Sequence, residues 1–231
     1  MRNPNTAKMK QLVIFDLDGT LLNTIDDLGT ATNHALEVCG YPKHQLNSYR
    51  MFVGNGVTKL IERSLPEDER QPEIIEEVKR HFLAYYDEHK TDLTLPYAGL
   101  KETLSELTNM GVKLAVASNK YHKAVIELVH HYFPTIHWHD IEGQKEGVPT
   151  KPDPSIVFEI LAKCPTPKSK VLYVGDSGVD METARRACVD SCGVTWGFRP
   201  LKELKDAHAD NIANTPADIL TIVRRPGLEL D

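Results

Sequence analysis

The stretch Val13-Ile14-Phe15-Asp16-Leu17-Asp18-Gly19-Thr20 decides how this chain is read. An apolar run stops in two carboxylates one residue apart, with Gly and Thr after them. In open α/β sheets, ligands bind outside the carboxyl ends of the strands. The run therefore places two acids where chemistry tends to sit. Three readings compete. Asp-Gly is ordinary turn chemistry, because Asp bonds its own backbone and Gly tolerates positive φ. Asp16, Asp18 and Thr20 also have the spacing of the first ligands of a calcium loop. That loop needs Gly at its sixth position and Glu at its twelfth. Leu21 and Asp27 stand there instead, and a strand-like run precedes the loop rather than a helix. Calcium is rejected. The third reading is a nucleophilic carboxylate with an acid/base partner, which needs support from distant residues.

The bulk composition permits an enzyme of this kind. The 231 residues are 41% hydrophobic and 26% charged, an ordinary globular balance, with length for a large core and a smaller second domain. A formal charge of −6 disfavours nucleic acid and anionic membrane surfaces as partners. An anionic substrate would need local groups or a bound cation. No apolar run approaches the ~20 residues of a membrane helix. Met1–Lys10 lacks the apolar core of a signal peptide and reads as a short frayed lead-in, so a cytoplasmic location is expected. Cys39, Cys164, Cys188 and Cys192 match neither a disulfide framework nor a paired zinc motif, and reduced, mostly buried thiols are expected. His130-His131 and His137-Trp138-His139-Asp140 lack the i, i+4 spacing of a paired metal site. They read as helix-end and loop residues.

Strand-like runs at Leu12–Phe15, Val112–Ala117, Val171–Val174 and Cys192–Thr195 alternate with helical stretches at Gly99–Met110, Lys123–His131, Asp153–Lys163, Asp180–Ala187 and Leu201–Ala207. This alternation predicts repeated βαβ units and a parallel sheet. Residues 24–95 break it. Asp27–Cys39, Gly56–Ser64 and Pro72–His89 all read as helices, the last with Ile74, Val78, Phe82 and Tyr85 on one stripe. The expected architecture is α/β. A Rossmann-like core of residues 1–23 and 96–231 carries an inserted helical cap of residues 24–95, standing over the strand ends as a lid would.

The other strands also finish in polar groups. Leu114–Ala117 runs into Ser118-Asn119-Lys120, and Val171–Val174 runs into Gly175-Asp176-Ser177-Gly178-Val179-Asp180. Lys151-Pro152-Asp153-Pro154 lies between them. Each is common alone; together they suit phosphoryl transfer. A phosphate ester repels an attacking carboxylate, and a divalent metal held by acids offsets that charge. Magnesium prefers oxygen ligands and keeps several waters, which suits Asp16, Asp18 and Asp176. Ser118 and Lys151 could hold the transferring oxygens.

This constellation resembles the haloacid dehalogenase superfamily, in the branch with a helical cap after the first motif. Asp16-Leu17-Asp18-Gly19-Thr20 resembles the first motif, Ser118-Asn119 the second, Lys151-Pro152 the third, and Gly175-Asp176 through Asp180 the fourth. Val53-Gly54-Asn55-Gly56 and Gly193-Val194-Thr195-Trp196-Gly197-Phe198-Arg199 resemble segments of its phosphoglycolate phosphatase-like group. The resemblance implies Asp16 as nucleophile and Asp18 as acid and base. It implies Mg²⁺ on the Asp16 carboxylate, the Asp18 carbonyl and Asp176, with Asp180 orienting that shell or reaching the metal through water. Ser118, Asn119 and Lys151 would hold the phosphate of a small metabolite, in a monomer or homodimer.

Asp18 fits phosphatases and phosphomutases, since dehalogenase relatives lack an acid there and phosphonate-cleaving ones typically carry a small residue. Sugar phosphomutases usually carry a histidine where Leu28 stands, which disfavours a mutase. Pyrophosphatase and sugar-phosphate phosphatase activities stay open. A phospho-accepting receiver domain shares the chemistry but is about half as long, without a helical insertion after its first strand. A non-catalytic binding protein on this fold is the remaining alternative. Asn55, between two glycines, suits either close approach to a ligand or an ordinary helix-start loop. Tyr85-Tyr86 reads as packing, and Arg199 as a structural partner of the fourth motif. Asn23 stands where many relatives carry an acid, and this departure is not expected to remove activity.

Overall fold

The computed structural model describes residues 9–225. Six parallel strands form the central sheet: β1 (Leu12–Phe15), β4 (Lys113–Tyr121), β5 (Trp138–Gln144), β6 (Val171–Gly175), β7 (Asp190–Val194) and β8 (Asn211–Ala213). Their order is β5-β4-β1-β6-β7-β8. A two-residue antiparallel pair, β2 (Leu22–Asn23) with β3 (Leu95–Pro96), stands beside it. The chain builds outward from β1 to β4 and β5, then crosses back to β6 on the other side. This reversal opens a crevice at the carboxyl end of β1.

Alternation along the strands covers both faces. Val13 and Phe15 of β1 and Leu114 and Val116 of β4 share one buried cluster. Against it pack α5 (Leu100–Asn109), α6 (His122–Tyr132) and α10 (Pro216–Arg224). Leu12, Ile14, Ala115 and Ala117 face the other way, onto α7 (Ser155–Lys163) and α8 (Gly178–Ala187). Strands covered on both faces read as continuous apolar runs, which is why β1 was visible in the sequence. The short α9 (Leu201–Asp206) links β7 to β8.

Between β2 and β3 lie α1 (Ile25–Val38), α2 (Tyr49–Phe52), α3 (Val57–Ser64) and α4 (Pro72–His89). They bury a separate cluster, including Leu28, Leu36, Tyr49, Ile61, Val78 and Phe82. The α4 stripe is rotated from the expected one. Ile75, Val78, Phe82 and Tyr86 are the buried residues, with Ile74 and Tyr85 at its half-buried edge.

Other expectations need correction. The strand predicted at Val112–Ala117 runs on to Tyr121, so Ser118, Asn119 and Lys120 lie within β4, buried, rather than in a loop beyond it. His137–Asp140 was expected in a loop, yet Trp138, His139 and Asp140 begin the edge strand β5. An edge strand with one solvated side shows no apolar run to find. β8 has only three residues. The start of α10 does carry a signal, Pro216 at its first turn and a Thr215–Asp218 capping box. The lead-in expected over Met1–Lys10 lies outside the described residues as far as Lys8. Lys10 itself is buried and anchored, its Nζ 2.5 Å from Asp190 Oδ2. Cys164 and Cys192 are buried, but Cys188 is exposed. Among the described residues, no helix is long and apolar enough to cross a membrane.

Candidate active site

β1 carries Asp16 to the crevice, and the following turn returns Asp18 to its mouth. Gly19, at φ +85°, makes that turn, with its N–H donating to Leu22 O at 2.8 Å. A β-carbon at Gly19 would stand 2.7 Å from Asp176 Cγ, and one at Gly197 would stand 2.5 Å from both Asp176 Oδ2 and Gly19 O. Two glycines thus form a cradle around the Asp176 carboxylate that any side chain would fill. Asp176, at the end of β6, accepts from the Phe198 N–H at 2.6 Å.

Lys151 is buried beneath the acids of the site. Its Nζ lies 3.0 Å from Asp16 Oδ1 and 2.7 Å from Asp180 Oδ1, and donates to Ala117 O and Tyr173 Oη, each at 3.0 Å. Asp180 Oδ2 accepts from the Ser177 N–H and hydroxyl, closing the capping box of α8. Asn119 joins three segments. Its Oδ1 accepts from Lys151 N at 2.8 Å, and its Nδ2 donates to Lys151 O at 3.1 Å and to Gly54 O at 3.0 Å. Ser118 is buried, with its Oγ accepting from Lys120 N at 3.2 Å.

All six residues singled out in the sequence, Asp16, Asp18, Ser118, Asn119, Lys151 and Asp176, therefore gather at the sheet's carboxyl edge. Reasoning from sequence missed Lys120. Its Nζ is 3.0 Å from Asp18 Oδ1 and 3.2 Å from Oδ2, and lies 4.7 Å from the centre of the Tyr86 ring. Thr24 donates to Asp18 Oδ1 at 2.7 Å. Above these groups the cleft is walled by apolar side chains from the helical layer, among them Leu28, Val53, Leu60, Phe82 and Tyr86. Asn55 holds its own loop, accepting from Arg63 Nη2 at 2.8 Å. Arg199 ties the layer to the core through Val53 O at 2.9 Å and Met51 O at 3.2 Å.

The electrostatics call for a cation. Oxygens of Asp16, Asp176 and Asp180 lie within 4.8 Å of one another, all three residues buried. Lys151 compensates Asp16 and Asp180 from within. Burial raises the Asp16 carboxyl to about 7, against the pull of Lys151, and drives Asp176 well above the usual carboxylate range. An all-oxygen, net-negative cluster fits a hard dication such as Mg²⁺. Both oxygens of Asp180 are taken, by Lys151 and Ser177, whereas Asp16 and Asp176 each engage one oxygen, with Lys151 and the Phe198 N–H, and keep the other to face an ion.

A pH dependence follows. Asp16 keeps its proton in the folded chain to about pH 7, whereas an unfolded Asp releases it near 3.8. Between those values the folded state binds more protons, so metal-free stability falls as pH rises. A dication offsets the ionised form, so the Tm gain on adding Mg²⁺ should be larger at about pH 8 than at about pH 5. Calorimetry at the two pH values checks this; equal gains would contradict it.

Known proteins bear on this geometry. The family model described as haloacid dehalogenase-like hydrolase matches residues 13–194. A phosphoglycolate phosphatase of Pseudomonas syringae pv. tomato is 33% identical, with 97% of this chain and 82% of the relative covered. One from Vibrio cholerae is 31% identical, over 94% and 98%. A crystal structure of a protein from Lactobacillus delbrueckii subsp. bulgaricus superposes with a TM-score of 0.88 at 31% identity, covering 93% of this chain and 98% of that one. With a sheet of this order, acids at the end of β1 and a family match spanning most of its length, the chain belongs to the haloacid dehalogenase-like hydrolases.

Proposed function

We propose that this hydrolase is a phosphatase that cleaves a small phosphorylated metabolite, with 2-phosphoglycolate as the lead substrate. The observation that carries the reaction class is the pairing of Asp16, beside buried Lys151, with Asp18 two residues on at the cleft mouth. The substrate is supported by the names of the relatives.

Asp16 attacks phosphorus as a carboxylate, forming an aspartyl-phosphate as the ester P–O bond breaks. Asp18 gives its proton to the departing oxygen, then takes one from the water that attacks the aspartyl-phosphate. Phosphate leaves, and both acids return to their starting states. Lys151, Ser118 and Asn119 hold the phosphoryl oxygens and the loops around them. Mg²⁺, held by Asp16, Asp176 and the Asp18 carbonyl, would supply charge neutralisation and orientation of the ester. The helical layer, residues 24–95, serves as the cap. Its apolar wall excludes water above the reacting groups, which strengthens the electrostatics beneath.

Phosphate release should be measured side by side from 2-phosphoglycolate, pyrophosphate and sugar phosphates, with and without Mg²⁺. The expected result is the highest kcat/KM for 2-phosphoglycolate and loss of turnover on chelation. A higher value for pyrophosphate or a hexose phosphate would reassign the substrate while keeping the reaction. Stable phospho-protein without turnover would overturn the phosphatase.

A further inference from the structure

Away from the crevice, the seam between α1 and α4 gathers a second group of metal-binding side chains. Cys39 follows the last residue of α1, and Glu77 and His81 stand one turn apart on α4. The thiol sulfur, one carboxylate oxygen and one ring nitrogen all lie within 4.8 Å of one another. Among the described residues, none of these three side chains has a hydrogen bond or an ion pair. Two nearby acids are paired instead, Glu76 with Lys79 at 2.7 Å and Glu37 with Lys43 at 2.9 Å.

The donor set selects the ion. Mixed sulfur, nitrogen and oxygen ligands suit borderline-soft, four-coordinate Zn²⁺, whereas Mg²⁺ takes oxygen alone. Tetrahedral bonds of Zn–S and Zn–N length put neighbouring ligand atoms about 3.5 Å apart. Half-buried or exposed side chains close that gap from 4.8 Å by rotation. We propose that Cys39, Glu77 and His81 form a zinc site that fastens the end of α1 to the middle of α4, with water in the fourth position. Binding forms Zn–S, Zn–N and Zn–O bonds and releases the thiol proton to solvent. The site stands apart from the acidic cluster and does not depend on the reaction assigned there.

The test titrates reduced protein with Co²⁺, with excess Mg²⁺ present to occupy the acidic cluster. One equivalent should give the intense visible bands of four-coordinate cobalt and a near-ultraviolet thiolate-to-cobalt band. Zn²⁺ should abolish both, and Cys39→Ser and His81→Gln should prevent both. Cobalt among the aspartates would give only the weak bands of oxygen coordination. A second readout needs no variant. At roughly ten times its Kd, Zn²⁺ should slow alkylation of Cys39 about tenfold, and leave exposed Cys188 reacting as before. A wild-type spectrum without the thiolate band, a band that survives Cys39→Ser, or equal alkylation of Cys39 with and without zinc would overturn the site.

Discussion

Asp16→Asn should lower phosphate release by at least about 10³-fold and leave the fold intact. The amide cannot attack phosphorus at a useful rate, and no other carboxylate both ends β1 and lies within reach of Lys151 from that side. Asp180, the other acid on Lys151, is already bound by Ser177. The fold should tolerate the change, because Lys151 keeps its 2.7 Å pairing with Asp180. Burial works against charge on Asp16, raising its carboxyl to about 7, so a neutral isostere removes an unfavourable ionisation. Metal-free Tm is therefore expected to hold or rise near neutral pH, while the Tm gain from Mg²⁺ shrinks. Steady-state phosphate release and thermal melting of the same samples check both halves. Retained turnover would remove Asp16 from the nucleophile role. A parallel fall in turnover and Tm would assign the loss to misfolding.

Lys151→Ala should be costly in both respects. The ammonium is surrounded by oxygen: two carboxylates, a carbonyl and a phenol, all within 3.0 Å. Removing one partner of a buried ion pair costs about 3–5 kcal/mol, because the remaining charge is stranded. In a chain of this size that is a Tm fall of about 10 °C. The fall should be smaller at about pH 5 than at about pH 8. The stranded Asp16 carboxyl, already raised, takes up a proton at the lower pH and no longer needs a counter-charge. Turnover should drop a further ~10²–10³-fold from loss of phosphoryl stabilisation. Melting at both pH values with matched kinetics is the measurement. A pH-independent Tm loss would show that packing, rather than charge, is what Lys151 supplies.

The parts of this molecule that could be read in its sequence are those encoded locally. β1 announces itself because it is buried on both faces, and Asp16 and Asp18 because they interrupt that apolar run. Asp176 and Lys151 lie beside their own strand end and helix start, so their gathering followed from a parallel sheet. Lys120 was invisible for the opposite reason. Its partner, Asp18, is 102 residues distant, and in sequence it was the third polar residue of an ordinary strand end. Only the continuation of β4 through Tyr121 turns it inward. The apolar wall was hidden similarly: Phe82 and Tyr86 satisfy the α4 core stripe, and nothing local says that the same rings border a cleft. β5 and β8 escaped notice because edge strands and three-residue strands carry too little hydrophobic signal.

The pairing of Leu22 with Pro96 and Asn23 with Leu95 has an evolutionary consequence. The segment between them departs and returns through adjacent strands, so its two ends are held only about 4.8 Å apart. To the sheet, everything from Thr24 to Thr94 is a long excursion between two fixed points, much like an insertion at a loop tip. Such a cassette can be lengthened or trimmed without altering strand order, provided that Thr24, which donates to Asp18, and Gly54, which accepts from Asn119, keep their places. Selection can therefore refit the walls of the cleft to a new molecule while the groups that meet the phosphate are inherited unchanged.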